Sequence, residues 1–200
     1  MDGLGTPTNC PQFMSDQYPA ELAKYHRVTS IVQFSGLSPF PDMPAERKQF
    51  YMDRGTQNHL AWQMVEEGTA DGYEFDPAVL PYLPAHARFL KETGFRALPG
   101  GIEMRVKNDE LRYKGTLDRL GTIQNRVVLI DYKTTKPTAG ASLQTALYLL
   151  ALPGYKFREV ERYAVGFGKD SKYTMSPKYP DSDESDAYYW ADKYLKEVSK

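Results

Sequence analysis

The sequence predicts an α/β (α+β) domain, a central mixed β-sheet flanked by helices. Three observations predict it. Helical spacing dominates the first half of the 200-residue chain. Three short strand-like runs separated by polar turns follow at its centre, and then helix, strand and helix alternate to the end. The third central run, Val127–Lys133, is almost continuously apolar before an Asp and a Lys, as in a strand covered on both faces.

Taken in order, residues 1–20 are rich in Gly, Pro, Thr and Gln without periodicity and read as an irregular arm. "VTSIVQF", Val28–Phe34, suits a short helix capped by Thr29 or Ser30 and ended by Gly36. "LSPFPDMP" is a proline-punctuated loop. Residues 46–67 are helical, in two pieces broken at Gly55. The second piece has Thr56 as N-cap and Gly68 as stop, with Leu60, Met64 and Val65 toward the core and His59, Trp62, Gln63 and Glu66 on a neighbouring face. Asp76-Pro77 and Pro84 mark two further helix starts, the second closing at Gly94.

An antiparallel meander follows, with turns at Asn108-Asp109 and around Gln124-Asn125. The next helix, "ASLQTALYLLAL", carries Leu143, Leu147 and Leu150 as its apolar stripe. Strands are expected at Val160–Phe167 and near Tyr173–Met175, then an acidic loop "DSDESD" and an amphipathic helix from Ser185.

Composition narrows the function classes. The chain has 25 basic and 26 acidic residues, a net charge of −1, which argues against a bulk electrostatic nucleic-acid binder but leaves room for a local positive groove. One cysteine, Cys10, cannot form an internal disulfide or hold an all-cysteine iron–sulfur cluster. Apolar stretches are too short to span a membrane and no export signal is visible, so a cytoplasmic location is expected.

The chemistry concentrates at Asp118, Asp131 and Lys133. An [DE]-x-K pattern alone is weak, since roughly two would occur by chance in such a chain, and three occur, at Glu46/Lys48, Asp131/Lys133 and Asp170/Lys172. Only the middle one ends a buried strand. Alternation puts Asp131 and Lys133 on one face and Tyr132 on the other. Asp118, in "GTLDRLG" on the preceding strand, can lie beside Asp131. Two adjacent buried carboxylates repel, and oxygen ligands select a hard cation such as Mg²⁺ or Mn²⁺. With a lysine alongside, that makes a site for phosphodiester hydrolysis. A purely structural Asp–Lys pair at a strand end fits the same residues.

"GTLDRLG", "VVLIDYKTTK" and "LQTALY", in this order, resemble the PD-(D/E)XK nuclease superfamily in its RecB-type exonuclease branch, near mitochondrial genome maintenance exonucleases and phage-encoded relatives. The resemblance covers about Val28 to Leu152. It implies a restriction-endonuclease-like core, a flexible arm over 1–25 and a single nuclease domain over 26–200.

It further implies a DNA exonuclease of recombination, repair or replication, dependent on Mg²⁺ or Mn²⁺ and acting on linear DNA, with single strands a candidate substrate, in the cytoplasm, or in the host cytoplasm if phage-encoded. "RGTQNH" then makes His59 a metal ligand, "IEMRV" adds Glu103 directly or through water, and the Tyr132 carbonyl joins Asp118 and Asp131. Asp118, Asp131 and Lys133 form the catalytic set. Gln144 and Tyr148, at i and i+4, bind DNA or brace the site. Thr29 or Ser30 contacts a phosphate.

The residue before Asp118 is Leu117 where the family often has proline. Iron–sulfur versions of the family are excluded by the single cysteine, and no phosphate-loop motif is present. Arg54, Lys114, Arg119, Lys136 and Lys156 are candidates for a phosphate track, and Tyr113 or Trp62 for base stacking. An endonuclease on the same core and a non-catalytic nucleic-acid-binding module are the rival readings. Oligomeric state is left open.

Overall fold

A computed structural model describes residues 23–37 and 43–200. The arm expected over 1–25 and the loop after Gly36 fall largely outside these residues. The elements are β1 (His26–Arg27), α1 (Val28–Phe34), α2 (Ala45–Glu67), α3 (Leu83–Thr93), β2 (Arg96–Asn108), β3 (Tyr113–Ile123), β4 (Arg126–Lys133), α4 (Ala139–Leu150), β5 (Glu161–Phe167), β6 (Tyr173–Met175) and α5 (Asp183–Val198).

The six strands form one mixed sheet. Strands β2, β3 and β4 are the expected antiparallel meander. The β3–β4 turn is tight because Gln124 and Asn125 both adopt positive φ, 49° and 65°, as a two-residue hairpin matching strand twist requires. Strand β5 pairs with β4 in parallel, reached through α4 as a crossover, and β6 closes that edge antiparallel. Strand β1 pairs in parallel with the start of β3, His26 with Tyr113 and Arg27 with Lys114.

One core lies between the sheet and α1, α4 and α5, and includes Ile31, Leu129, Leu147 and Ala187. The other lies between the sheet and α2 and α3, and is largely aromatic: Trp62, Tyr82, Phe89, Tyr132 and Phe167. Strand β4 is buried from Val128 to Tyr132, as its apolar run predicts. Tyr113 and Trp62 are wholly buried, so neither offers a face for base stacking.

Several local expectations are corrected. Helix α2 is continuous through Gly55, and Thr56 is no N-cap; its hydroxyl donates to the Met52 carbonyl one turn back. The inward face of α2 carries Asn58, Ala61, Trp62 and Met64, while Leu60 and Val65 are half-buried, because docking on the sheet rather than hydropathy selects the buried face. Thr29 and Ser30 do not cap α1, whose N-cap position is Arg27. Asp76-Pro77 starts only a turn leading to a short 3-10 segment, Leu80–Tyr82. Leu150 is half-buried; α4 is instead buried on nearly every side, between sheet and helices. The acidic run is no loop beyond Ser182: α5 begins at Asp183, and Asp183, Glu184 and Asp186 fill its first turn, where the helix dipole favours negative charge. Gly68 and Gly94 end α2 and α3 in the left-handed conformation, as expected.

Among the described residues no helix is long and apolar enough to cross a membrane.

A Cβ at Gly55 would meet nothing within 4 Å, and its φ is not positive. The fold therefore gives this mid-helix glycine no packing reason. Gly55→Ala is expected to stabilise the protein by about 1 kcal/mol through backbone entropy, read from the midpoint of urea unfolding; an unchanged or lowered midpoint would contradict this account of α2.

Candidate active site

The site begins where the β3–β4 ladder stops. Pairing runs from Ile123/Arg126 to Arg119/Ile130 and then ends, although both strands continue. At the next position the Asp118 side chain takes over: its Oδ2 accepts the Tyr132 backbone N–H at 2.6 Å. Asp118 and Asp131 are buried on either side of this fork.

Helix α2 brings His59 to the fork from one layer. Its Nε2 lies 3.1 Å from the Tyr132 carbonyl oxygen, to which it donates. Its Nδ1 then faces two carboxylates, Glu103 Oε1 at 3.3 Å and Asp118 Oδ1 at 3.6 Å. Glu103 reaches the site from β2 with φ at +47°, a left-handed conformation unusual for a side chain of this kind. Such strain costs roughly 1–3 kcal/mol and concentrates at functional positions.

From the other layer, α4 contributes Gln144 and Tyr148. Lys133 Nζ lies 2.8 Å and 3.0 Å from the two Asp131 oxygens and donates to Gln144 Oε1 at 3.1 Å. Gln144 Nε2 donates to the Tyr148 hydroxyl at 3.0 Å. The Tyr148 ring is buried against Gly115, where a Cβ would fall 2.6 Å from Cε1. Only a glycine at 115 admits the ring there. The pair thus has bracing geometry: a hydrogen-bonded chain that ends on the lysine.

His59, Glu103 and Asp118 offer one ligand atom each, all within 4.8 Å of one another. Asp131 stands outside this triplet, its carboxylate taken up by Lys133. The Tyr132 carbonyl engages the His59 ring. The donor set fits a hard divalent cation: one imidazole nitrogen and carboxylate oxygens. Charge fits as well. Glu66, Glu103, Asp118 and Asp131 face two permanent cations, Arg119 and Lys133, so with neutral histidines the cluster lacks two positive charges.

The ionisation states are set by burial and by the neighbouring charges. Burial drives the Asp118 carboxyl up to about 7; His59 pulls it down, while Asp131 and Glu103 push it further up. Burial disfavours the His59 imidazolium, but Asp118 and Glu103 outweigh that and hold it above its ordinary value. Burial likewise opposes the Glu103 charge, yet His59 and Arg119 keep this carboxyl below its usual range. For Lys133, burial is overcome by Asp131 and Asp118, so the ammonium form is favoured. Side-chain exposures of 24%, 29% and 30% at His59, Glu103 and Lys133 mark the mouth of the site.

Thr29 is exposed and lines a small cavity with Arg27, Lys114, Gly115, Thr116 and Tyr148, beside the fork; Ser30, half-buried on α1, does not line it. Arg119 leaves the expected phosphate track altogether. It is fully buried, with Nε 3.0 Å from both Glu66 oxygens and Nη1 2.9 Å from Glu103 Oε1. His86 Nε2 lies 2.8 Å from Glu66 Oε1. Sequence reasoning missed Glu66 and His86. The available signal was an arginine inside an apolar strand, which demands a buried acid somewhere in the fold.

The family model of the PD-(D/E)XK nuclease superfamily matches residues 34–192. The chain belongs to this superfamily. Its fold also matches the crystal structure of a protein from Eubacterium rectale named "Putative exonuclease", with a TM-score of 0.58 at 12% identity, over 94% of this chain and 85% of that one. No curated protein matches the sequence. Membership of the superfamily supports a hydrolase acting on nucleic acid, and superfamily members generally use divalent metals.

A cation at this triplet would compete with protons for the same ligand atoms. With its folded value raised from 3.8 to about 7, Asp118 favours the folded state fully at low pH, and that contribution is lost as pH climbs through this window. Cation binding must release the proton, so Mn²⁺ should raise the melting temperature more at about pH 8 than at about pH 5. Asp118→Asn should shrink the difference, the proton that His59 must also lose accounting for the remainder. Equal Mn²⁺ shifts at both pH values in the unmutated nuclease would contradict the assignment.

Proposed function

We propose that this nuclease is a metal-dependent deoxyribonuclease that degrades linear DNA from an end. The observation that carries the reading is the convergence of His59, Glu103 and Asp118 on one small volume beside the Lys133–Asp131 pair. The name of the Eubacterium rectale structure and the RecB-like order of motifs support the exonuclease mode. Roles in recombination, repair or replication, a phage origin and action on single strands belong to the same proposal.

His59, Glu103 and Asp118 would hold the cation, with Asp131 and the Tyr132 carbonyl completing its surroundings. A bound Mg²⁺ or Mn²⁺ would neutralise phosphate charge and acidify water. Lys133 acts as an ammonium, since its acidic neighbours favour the charged form. An ammonium has three donors; Asp131 and Gln144 take part of them, and the partly exposed head retains a proton for the scissile phosphate or the attacking water. Gln144 and Tyr148 fix its direction. A lysine held this way stabilises developing charge on the phosphoryl oxygens and has no role as a base. Thr29, which lines a small cavity with Lys114 and Thr116, would contact a flanking phosphate.

Digestion of end-labelled linear DNA should require Mg²⁺ or Mn²⁺ and stop with chelator, while circular single-stranded DNA stays intact. Asp118→Ala and Lys133→Ala should each lower the rate by at least about 100-fold. Cleavage of the circle would replace the exonuclease reading by an endonuclease. Intact linear DNA with every metal tried would leave only a binding module.

A further inference from the structure

We propose that Arg119, anchored by Glu66, is a positioning residue that holds Glu103 in its cation-binding arrangement. The inference rests on reading His59, Glu103 and Asp118 as a cation site.

Three observations carry it. First, the Arg119 guanidinium is wholly buried away from solvent, and two of its three nitrogens, Nε and Nη1, carry its polar contacts while Nη2 has no hydrogen-bond partner. Nε meets both Glu66 oxygens, Nη1 meets Glu103 Oε1 at 2.9 Å and the Asp118 carbonyl at 2.6 Å, and the plane lies 4.8 Å over the Tyr132 ring. A fixed planar fork does this, where a lysine point charge would not. Second, Glu103 stands in a left-handed backbone conformation on β2, just after the register shift between Ala97 and Ile102. Its carboxylate thus enters the site from irregular backbone, and Arg119 supplies a permanent positive contact beside its His59 partner. Third, Glu66 follows His59 by seven residues on α2 and so shares its face of the helix. One helix delivers a ligand and the anchor for the group that orients another.

A fold-stabilising ion pair alone would need no contact with Glu103. Outer partners of metal ligands characteristically fix ligand direction and alter affinity when changed.

The full chain is titrated with Mn²⁺ by calorimetry as wild type, Glu66→Gln, Arg119→Lys, Glu103→Ala and the double variant Glu66→Gln/Glu103→Ala, with melting temperatures recorded alongside. Glu66→Gln should weaken Mn²⁺ about 10- to 100-fold and should shift the Mn²⁺ dependence of cleavage to higher concentration. With Glu103 already replaced by Ala, the same change should alter affinity less than about twofold, because the route through Glu103 is gone. Arg119→Lys, which keeps the charge and loses the fork, should behave like Glu66→Gln and serves if that variant is too unstable to measure. Wild-type affinity in these variants with only a lowered melting temperature, or an undiminished loss in the Glu103→Ala background, overturns the positioning role. A wild-type chain that binds no Mn²⁺ overturns the cation site beneath it, a different result.

Discussion

The constraint on which the rest of this structure depends is the early end of the β3–β4 ladder. Had the two strands stayed paired past Arg119 and Ile130, the Tyr132 N–H would point at a backbone carbonyl. Instead the Asp118 carboxylate satisfies it. The substitution opens the middle of a sheet without leaving a buried donor orphaned, which would itself cost about 1–3 kcal/mol. β1 then pairs with the far end of β3, at Tyr113 and Lys114, and the fork is lined from both layers, by His59 of α2 and Gln144 of α4. His59 from α2 and Gln144 from α4 would otherwise be separated by the sheet.

Opening a sheet in this way concentrates charge. Acidic groups from α2, β2, β3 and β4 converge on a volume that backbone and aromatic rings keep largely dry, and two fixed cations share them unequally. Lys133 takes Asp131, while Arg119 takes Glu66 and part of Glu103. Asp118 has only His59 as an ion-pair partner, and burial, with Asp131 and Glu103 nearby, raises its carboxyl value. The site is thus asymmetric before any ligand arrives. One side is a neutralised Asp–Lys pair, and the other is one imidazole and two carboxylates whose donor atoms suit a cation.

Much of this was legible in the sequence because it rests on local rules. The buried strand "VVLIDYK" announced itself through an apolar run, and the meander through its turn residues. Alternation placed Asp131 and Lys133 together, and the spacing of Gln144 and Tyr148 placed them on one helical face, where they are hydrogen-bonded. What stayed hidden is set by contacts distant in sequence. Glu66 and Arg119 are 53 positions apart and meet only when α2 docks on β3. The buried face of α2 was misjudged for the same reason: Asn58 and Trp62 go inward and Leu60 does not, because the sheet beneath α2 selects the docking face. The left-handed turn at Glu103 belongs to a strand irregularity that no residue in "IEMRV" signals. A break at Gly55 was a fair inference from propensity, and the tertiary fold overrode it.

The aromatic layer under the fork links packing to electrostatics. Trp62, Tyr132, Phe89 and Phe167 pack edge to face with centroids 4.8 to 5.9 Å apart, and the His86 ring sits among them. Such rings exclude water while presenting negative faces, and Arg119 lies over one of them. The low dielectric left by excluding water makes every charge contact above them stronger than it would be at a surface, and every unpaired charge more costly. That is why burial dominates the shift at Asp118, and why the neighbouring carboxylates add to it. Trp62 and Tyr132 lie beside residues that carry the chemistry, one helical turn from His59 and one residue from Asp131. The rings that stabilise the domain also set the electrostatic conditions at the His59, Glu103 and Asp118 cluster and at the Asp131–Lys133 pair.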